Sequence, residues 1–402
     1  MQLGPGIFRT PLPQGFTAGG INCGVRRYRP DLGIIITDRP SVAVGVFTQN
    51  LYAAAPVNYC RALLPANNIR AIITNSGQAN AATGPLGEQY NHRMAQHVAN
   101  VLDCDIHHVL TASTGIIGEP LAIDKITSSI PTLIHHVSNI AEKFAVAILT
   151  TDLVPKTVHK TLKLSQGHIT LTGICKGSGM IHPNMATMLG YLLTDAQLTT
   201  AQAQQLLTNA CDQSFNMVSV DGETSTNDSV FLLANGASGV SIATDDDLLL
   251  FQTALTEIAI TLAKSIARDG EGASKLIEVQ VTGVPELPLA KKIARELTLS
   301  PLIKTAIYGG SPNWGRIMAR LGSIQPVAHL IQRCEIYLQD LCVFKHALPC
   351  QLSTDNLHAL QLSMHNDTTR ISIHFHQGHY QATAWGCDLT EKYVAINADY
   401  MT

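Results

Sequence analysis

The chain has 402 residues, of which 46% are hydrophobic and only 14% charged, and its formal net charge is −3. So even a balance, with no basic run, excludes nucleic-acid binding through a phosphate-tracking patch. A charged share well under the roughly 25% usual in globular domains implies a large core and subunit contacts, and the length implies two domains or one large double domain.

The N-terminal MQLGPGIFRTPLPQGF is proline-bearing and lacks an apolar core segment, so no signal peptide is expected. No apolar run reaches the roughly 18 residues of a membrane span, and a cytoplasmic location is expected. The nine cysteines are scattered, odd in number and form no C-x-x-C, which reads as reduced thiols without a disulfide frame or zinc site.

DLGIIITD and SVAVGVFT, residues 31–48, are predicted as two strands joined by a turn at Arg39-Pro40. IRAIITNSG (69–77) reads as a buried strand and Leu86–Asp103 as a helix. HVLTASTGIIG (108–118) is a strand entering a glycine loop. KGSGMIHPNMATMLGYLLTD (176–195) begins as a turn-rich loop and ends in the apolar strand Met188–Leu193. Phe251, Leu255, Ile258, Leu262 and Ile266 repeat at three and four, predicting a helix over 245–268 with an acidic first turn. LIEVQVT then alternates apolar and polar positions, as a strand does. GVPELPLAKK (283–292) is the linker candidate, and ISIHFH and YVAINADY read as C-terminal strands. Strands and helices mix without a regular βαβ order, so the expected class is layered α/β (mixed α+β), not a doubly wound sheet.

Several stretches carry possible chemistry. Thr187, after the small Ala186, stands where the loop enters a strand. A threonine hydroxyl needs an adjacent base to act as nucleophile. If the Ala186–Thr187 peptide breaks, the new α-amine, with a pKa of about 7.7–8.0, supplies that base; the plain alternative is a β-branched residue starting a strand. In TASTGIIG (111–118), Ser113, Thr114 and Gly115 offer a hydroxyl and a bare backbone N–H, the equipment of an oxyanion hole, or else an ordinary turn. Glu271, between two glycines in RDGEGASK, suits a substrate amine or is simply exposed. SVDGETSTNDSV (219–230) reads as a polar loop near a site, without calcium-loop spacing. In GGSPNWGR (309–316), Trp314 beside Arg316 is a candidate pocket floor. His374 and His376, with His379 beyond, offer a metal-binding strand, but no acidic or cysteine partner accompanies them and no metal site is expected.

These stretches together resemble the ornithine acetyltransferases of arginine biosynthesis, also called glutamate N-acetyltransferases (the ArgJ type), from GFTAGG near residue 15 to the C-terminal INADYMT. The resemblance implies a self-cleaved N-terminal-nucleophile enzyme with a layered sandwich of stacked sheets, DmpA/ArgJ-like, similar to certain self-processing aminopeptidases. It implies cleavage between Ala186 and Thr187 into an α chain, 1–186, and a β chain, 187–402, with a sub-domain linker near 283–292. Thr187 is then the nucleophile and Thr114 and Gly115 the oxyanion pair. Lys176, Thr150 or Thr151, Glu271, Asn397 and Thr402 become substrate contacts. The implied reaction moves acetyl from N2-acetylornithine to glutamate by a ping-pong route without a cofactor. Some members also use acetyl-CoA as donor, and no residue here separates the two forms. The family's habit implies a heterotetramer of two α and two β chains. An aminopeptidase or amidohydrolase using the same nucleophile is the alternative activity.

Overall fold

The structure is a computed structural model that describes residues 9–182, 188–325, 327 and 330–399. In chain order its main elements are β1 (Phe16–Ile21), β2 (Leu32–Phe47), α1 (Ala55–Leu63), β3 (Ala66–Gln78), α2 (Gly84–Leu102), β4 (Val109–Ile116), α3 (Ile123–His135), α4 (Glu142–Ala147), β5 (Lys156–Leu164), β6 (Gly167–Lys176), β7 (Leu189–Thr194), α5 (Thr200–Gln213), β8 (Val218–Ser219), β9 (Ser229–Ala234), α6 (Asp245–Arg268), β10 (Leu276–Val284), α7 (Leu287–Leu299), α8 (Pro301–Tyr308), α9 (Trp314–Gly322), β11 (Glu335–Leu338), β12 (Leu341–Lys345), β13 (Leu348–Pro349), α10 (Thr354–Ser363), β14 (Thr368–His374), β15 (Tyr380–Cys387) and α11 (Glu391–Asp399).

The strands form two mixed sheets, as the expected layered α/β class requires. One has the order β4-β3-β2-β9-β7-β6-β5, with β1 paired to β2; the other runs β13-β12-β11-β14-β10-β15-β8. Helix α6 lies between them, touching β5 and β6 of the first sheet and β8, β10 and β15 of the second. Its predicted stripe, Phe251, Leu255, Ile258, Leu262 and Ile266, is buried. This helix has the length and apolarity of a membrane span, yet its apolar stripe faces the two sheets. The opposite face of the first sheet buries Tyr191 and Phe231 against Phe144 of α4, with the Phe144 and Tyr191 rings edge to face at 4.9 Å.

Three expectations are corrected. Arg39-Pro40 is no turn: β2 is one 16-residue strand. Its first half pairs with β1 and its second with β9, and its register with β3 slips between Ile36 and Ser41. Pro40 is tolerated because such an irregularity frees a ladder position from donating. Residues 283–292 are no linker: they close β10 at Val284 and open α7 at Leu287, and α7 packs on β10 and β15. The prolines that suggested a linker sit in a strand-to-helix turn and a first helical turn, where Pro is favoured. YVAINADY is no strand but most of α11. Thr390 Oγ1 accepts from Lys392 N at 3.2 Å at the helix start, and no face of α11 is buried enough to demand strand alternation.

Helix α4 leads directly to Thr150 and Thr151, so its seat on β1 sets their position. That seat is glycine-dependent: a Cβ on Gly20 would stand 2.1 Å from the Lys143 carbonyl oxygen. Backbone cannot rotate away, so Gly20→Ala must push α4 off the sheet. The expected loss is about 1–3 kcal/mol in urea unfolding; an unchanged midpoint would rule out this seating.

Candidate active site

The ends of β4 and β6, the start of β7, the turn after α4, the loop 219–228, the loop after α6 and helix α11 converge on one cleft. Thr114, Gly115, Thr150, Thr151, Lys176, Glu271 and Asn397 all line it. Both candidate threonines at 150 and 151 are present. Ala186, Thr187 and Thr402 lie outside the described residues; Met188, the neighbour of Thr187, lines the cleft.

At one end, β3 and β4 run side by side with Gly77 opposite Gly115. Gly115 has φ +129°, and a Cβ there would lie 2.3 Å from the Gly77 carbonyl carbon. Only glycine fits this backbone approach. Below it, Asn227 Nδ2 donates to the carbonyls of Ala79 and Ser113 at 2.5 and 2.9 Å. The Ser113 hydroxyl turns inward to Asn75 Oδ1 at 2.6 Å, so Ser113 is a support and not the cleft hydroxyl. Thr114 is the cleft hydroxyl. Its Oγ1 lies 3.4 Å from Lys176 Nζ. An ammonium only donates, so Oγ1 accepts and its own O–H remains to be given to a developing negative charge.

Three segments of the cleft are tied by a buried ionic triad. Lys156 Nζ lies 2.7 Å from Asp152 Oδ1 and 2.6 Å from Asp269 Oδ2. Asp152 also accepts from Gly177 N at 2.7 Å and Thr150 N at 3.1 Å. Asp269 accepts from Leu153 N at 3.1 Å, and its backbone carbonyl accepts from the Ser178 hydroxyl at 2.7 Å. Burial alone would raise the Asp152 carboxyl, but the Lys156 and Lys176 charges and the Gly177 N–H outweigh it and hold it well below the carboxylate range. Burial alone would lower Lys156; the charges of Asp152 and Asp269 raise it instead.

At the other end, Glu271 is held by its own N–H on Ser178 O at 3.1 Å, and its Oε2 accepts from Asn397 Nδ2 at 2.8 Å. Bare backbone makes room for it: a Cβ on Gly179 would come within 2.3 Å of the Glu271 carboxyl carbon. Gly272, at φ +69°, admits α11, since a Cβ there would meet Tyr393 N at 2.5 Å. The wall between is the polar loop read from SVDGETSTNDSV, which supplies Asp221, Glu223, Ser225, Thr226, Asn227 and Asp228. Asp221 accepts from Met180 N at 2.7 Å and Ile181 N at 2.9 Å, clamping the lead-in to the candidate cleavage segment. Met180 sits there in the left-handed region, at φ +55°.

Comparison with known proteins bears on this arrangement. The ArgJ family model matches residues 17–402. The arginine biosynthesis bifunctional protein ArgJ of Oceanobacillus iheyensis is 43% identical over 97% of this chain and 95% of that protein. Its counterpart from Thermosynechococcus vestitus is 42% identical over 97% of each. A solved ornithine acetyltransferase from Mycobacterium tuberculosis, complexed with ornithine, is 36% identical over 43% of this chain and 92% of that one, with a TM-score of 0.41. The chain belongs to the ArgJ family. As such it is an acyltransferase, an enzyme of arginine biosynthesis.

Other expectations fall elsewhere in this ArgJ-family chain. Trp314 is no pocket floor: it opens α9 and packs on Phe344 at 5.5 Å. His374 and His376 point to other partners, Thr282 and Tyr337 for the first and Glu335, at 3.5 Å, for the second. Among the described residues no group of three His, Cys, Asp or Glu is disposed to hold a metal ion. Tyr393 was missed. Burial, with the charges of Asp221 and Glu271, raises its phenol. The strand reading of its segment hid the face it shares with Asn397, four residues on. Arg26, whose Nη1 holds Leu149 O at 2.5 Å and Nη2 Thr150 O at 3.3 Å, was missed as well; nothing near it in sequence signals the contact.

The triad makes a pH-dependent prediction. The depressed carboxyl of Asp152 contributes stability that is present above its unfolded pKa of about 3.9 and lost as pH falls toward the folded value. The raised Lys156 contributes stability that is present below its unfolded pKa of about 10.4 and lost as pH rises through the folded value. Lys156→Met leaves two buried carboxylates without their cation, an expected loss of about 3–5 kcal/mol at neutral pH. Between pH 7 and pH 4 the gap to wild type should narrow in urea unfolding, because a proton relieves the variant. A gap that is small at pH 7, or that widens on acidification, contradicts the triad's role.

Proposed function

We propose that this chain cleaves itself between Ala186 and Thr187 and then transfers acetyl from N2-acetylornithine to glutamate through an ester on Thr187. One observation carries the reading: Thr114, Gly115, Thr150, Thr151, Lys176, Glu271 and Asn397 meet in one cleft beside Met188, in a chain of the ArgJ family. The relatives' name, arginine biosynthesis bifunctional protein, agrees with it.

In the cleavage step, Thr187 Oγ attacks the Ala186 carbonyl carbon, the C–N bond breaks, and the Thr187 nitrogen takes the hydroxyl proton. Water then cleaves the resulting ester, giving an α chain, 1–186, and a β chain, 187–402, with a free α-amine on Thr187. In the transfer step, that amine takes the proton as Oγ attacks the acetyl carbonyl. The Thr114 hydroxyl and Gly115 N–H are suited to the oxyanion, a donor pair of which each member is worth about 2.7–4 kcal/mol in comparable sites. Ornithine departs with the proton, leaving acetyl on Oγ. The glutamate amine attacks that ester and leaves as N-acetylglutamate. The ester conserves the acyl group's reactivity, so no cofactor is required.

The charges of the cleft suit these substrates. Among the described residues that line it, Lys176 is the one lysine, a partner for the α-carboxylate that both amino acids carry. Asp221, Glu223, Asp228 and Glu271 surround it with carboxyl groups, and Glu271, fixed by Asn397, suits the cationic end of ornithine. Thr402 is the second C-terminal contact. The assembly we infer is two α and two β chains, working in the cytoplasm.

Intact-mass measurement of the purified protein should give two chains, and Thr187→Ala one. Wild type should form N-acetylglutamate from N2-acetylornithine only when glutamate is supplied, and Thr187→Ala should form none. A whole chain that still transfers acetyl overturns the mechanism; acetate release without glutamate turns the enzyme into a hydrolase. Acetyl-CoA supplied with glutamate alone reads whether a second donor serves.

A further inference from the structure

Asp228 immediately precedes β9 and is 3% exposed, yet it lines the cleft. Its carboxyl lies close enough to the Ser225 hydroxyl and the Met188 backbone for both to favour its charged form. Its Oδ2 is buried and has no hydrogen-bond partner among the described residues. The backbone that carries it is held on both sides. The Asp228 carbonyl accepts from Thr48 N at 3.0 Å, and Ser229 N donates to Met188 O at 3.0 Å, so the starts of β7 and β9 are locked together. A buried, unpartnered oxygen at the wall of an active-site cleft is costly and calls for an occupant.

Chain connectivity identifies one. Met188, tied to Ser229 beside Asp228, is the covalent neighbour of Thr187. We propose that Asp228 is a positioning residue for acyl transfer: its free carboxyl oxygen receives an N–H of the α-amine released at Thr187 and turns the amine's lone pair toward the hydroxyl it deprotonates. This rests on the self-cleavage reading above.

The state of the carboxyl fits the task. Burial pushes Asp228 well above the usual carboxylate range, against the opposing pull of Ser225, the Lys176 charge and Met188. With its proton on the other oxygen, a neutral carboxyl accepts the amine N–H at Oδ2 without the negative charge that would keep the amine protonated and useless as a base. The titratable groups around it are Lys176 on β6, Asp221 and Glu223 in the loop before β9, Glu271 after α6 and Tyr393 on α11. Of these, Lys176 supplies the charge that acts on Asp228.

The proposal separates two steps that share Thr187. Cleavage uses the hydroxyl before any amine exists, so it does not need Asp228; transfer does. Asp228→Ala should therefore appear as two chains by intact mass, with kcat for acetyl transfer down about 100-fold, the lower end of what a positioned base contributes. KM for N2-acetylornithine should stay within about twofold, since the amine contributes to proton transfer and not to binding. Asp228→Asn keeps a neutral carbonyl in place. It should cleave, recover most of the lost rate and keep the acid limb of the pH–rate profile at the wild-type position. Transfer by Asp228→Ala at the wild-type rate overturns the proposal. So does a folded Asp228→Asn that stays uncut, or whose acid limb moves by a full pH unit, because the residue would then act in cleavage or as a charge. Should Asp228→Ala fail to fold, the asparagine variant decides alone. An uncut but active wild type would instead sink the self-cleavage reading, so the two failures are distinct.

Discussion

One ammonium group, on Lys156, joins the three pieces of chain on which the cleft depends. Asp152 belongs to the turn that carries Thr150 and Thr151, and it also grips Gly177 N, next to Lys176. Asp269 stands two residues before Glu271, and its carbonyl holds Ser178, next to Gly179. Asp152, Gly177 and Asp269 lie outside helices and strands, so beyond the pairing of Lys156 with Cys175 no ladder or helix fixes their spacing. Buried ion pairs often give little net stability against well-packed apolar replacements. Here their use is geometric: two carboxylates on one cation, their remaining lone pairs met by backbone N–H groups, leave few alternative arrangements.

The same corner is tight because backbone takes the place of side chains. Gly115 lies against Gly77, Gly179 against the Glu271 carboxylate, and Gly272 against the first turn of α11. Each removes the one carbon that would hold two segments apart. The triad pulls the segments together and the glycines let them arrive, so the carboxylate of Glu271 comes within reach of Asn397 from a helix at the far end of the chain. The result is an acidic wall that faces Lys176 across the cleft.

How much of this was legible in the sequence follows from what kind of force places each residue. Helix α6 was readable to its ends because its stripe and acidic first turn are local signals. Thr114, Lys176 and Glu271 were readable because each sits at the end of a strand or helix, next to a glycine, and because those stretches resemble a known family. Lys156 and Asp269 were not, since only the fold brings residues 113 apart in sequence to 2.6 Å. Tyr393 was lost to a wrong period: apolar Tyr393, Val394 and Ile396 imitate a strand, and Val394 is in fact 65% exposed on α11. Asp228 was legible as a polar loop residue, but its importance lies in an oxygen left without a partner, which no sequence pattern encodes.

The placement of the proposed cut follows from the ladder around it. Lys176 pairs with Leu189, so β6 and β7 form a hairpin closed at the cleft. On the leading side, Asp221 holds the N–H groups of Met180 and Ile181, Val220 N donates to Ile181 O at 2.7 Å, and the Thr224 hydroxyl donates to His182 O at 3.2 Å. On the trailing side, β7 is bonded to β6 and to β9 along its whole length. The chain between His182 and Met188 therefore joins two ends that are each fixed by contacts elsewhere. A break within it leaves the described ladders of β6 with β5 and of β7 with β6 and β9 as they are, so both products stay seated in one sheet. It also means that Met188, next to a new N-terminus at Thr187, keeps its tie to Ser229 at the start of β9. A nucleophile whose base is its own α-amine needs just that, because the geometry of attack is then set by the sheet and not by the peptide bond that was lost.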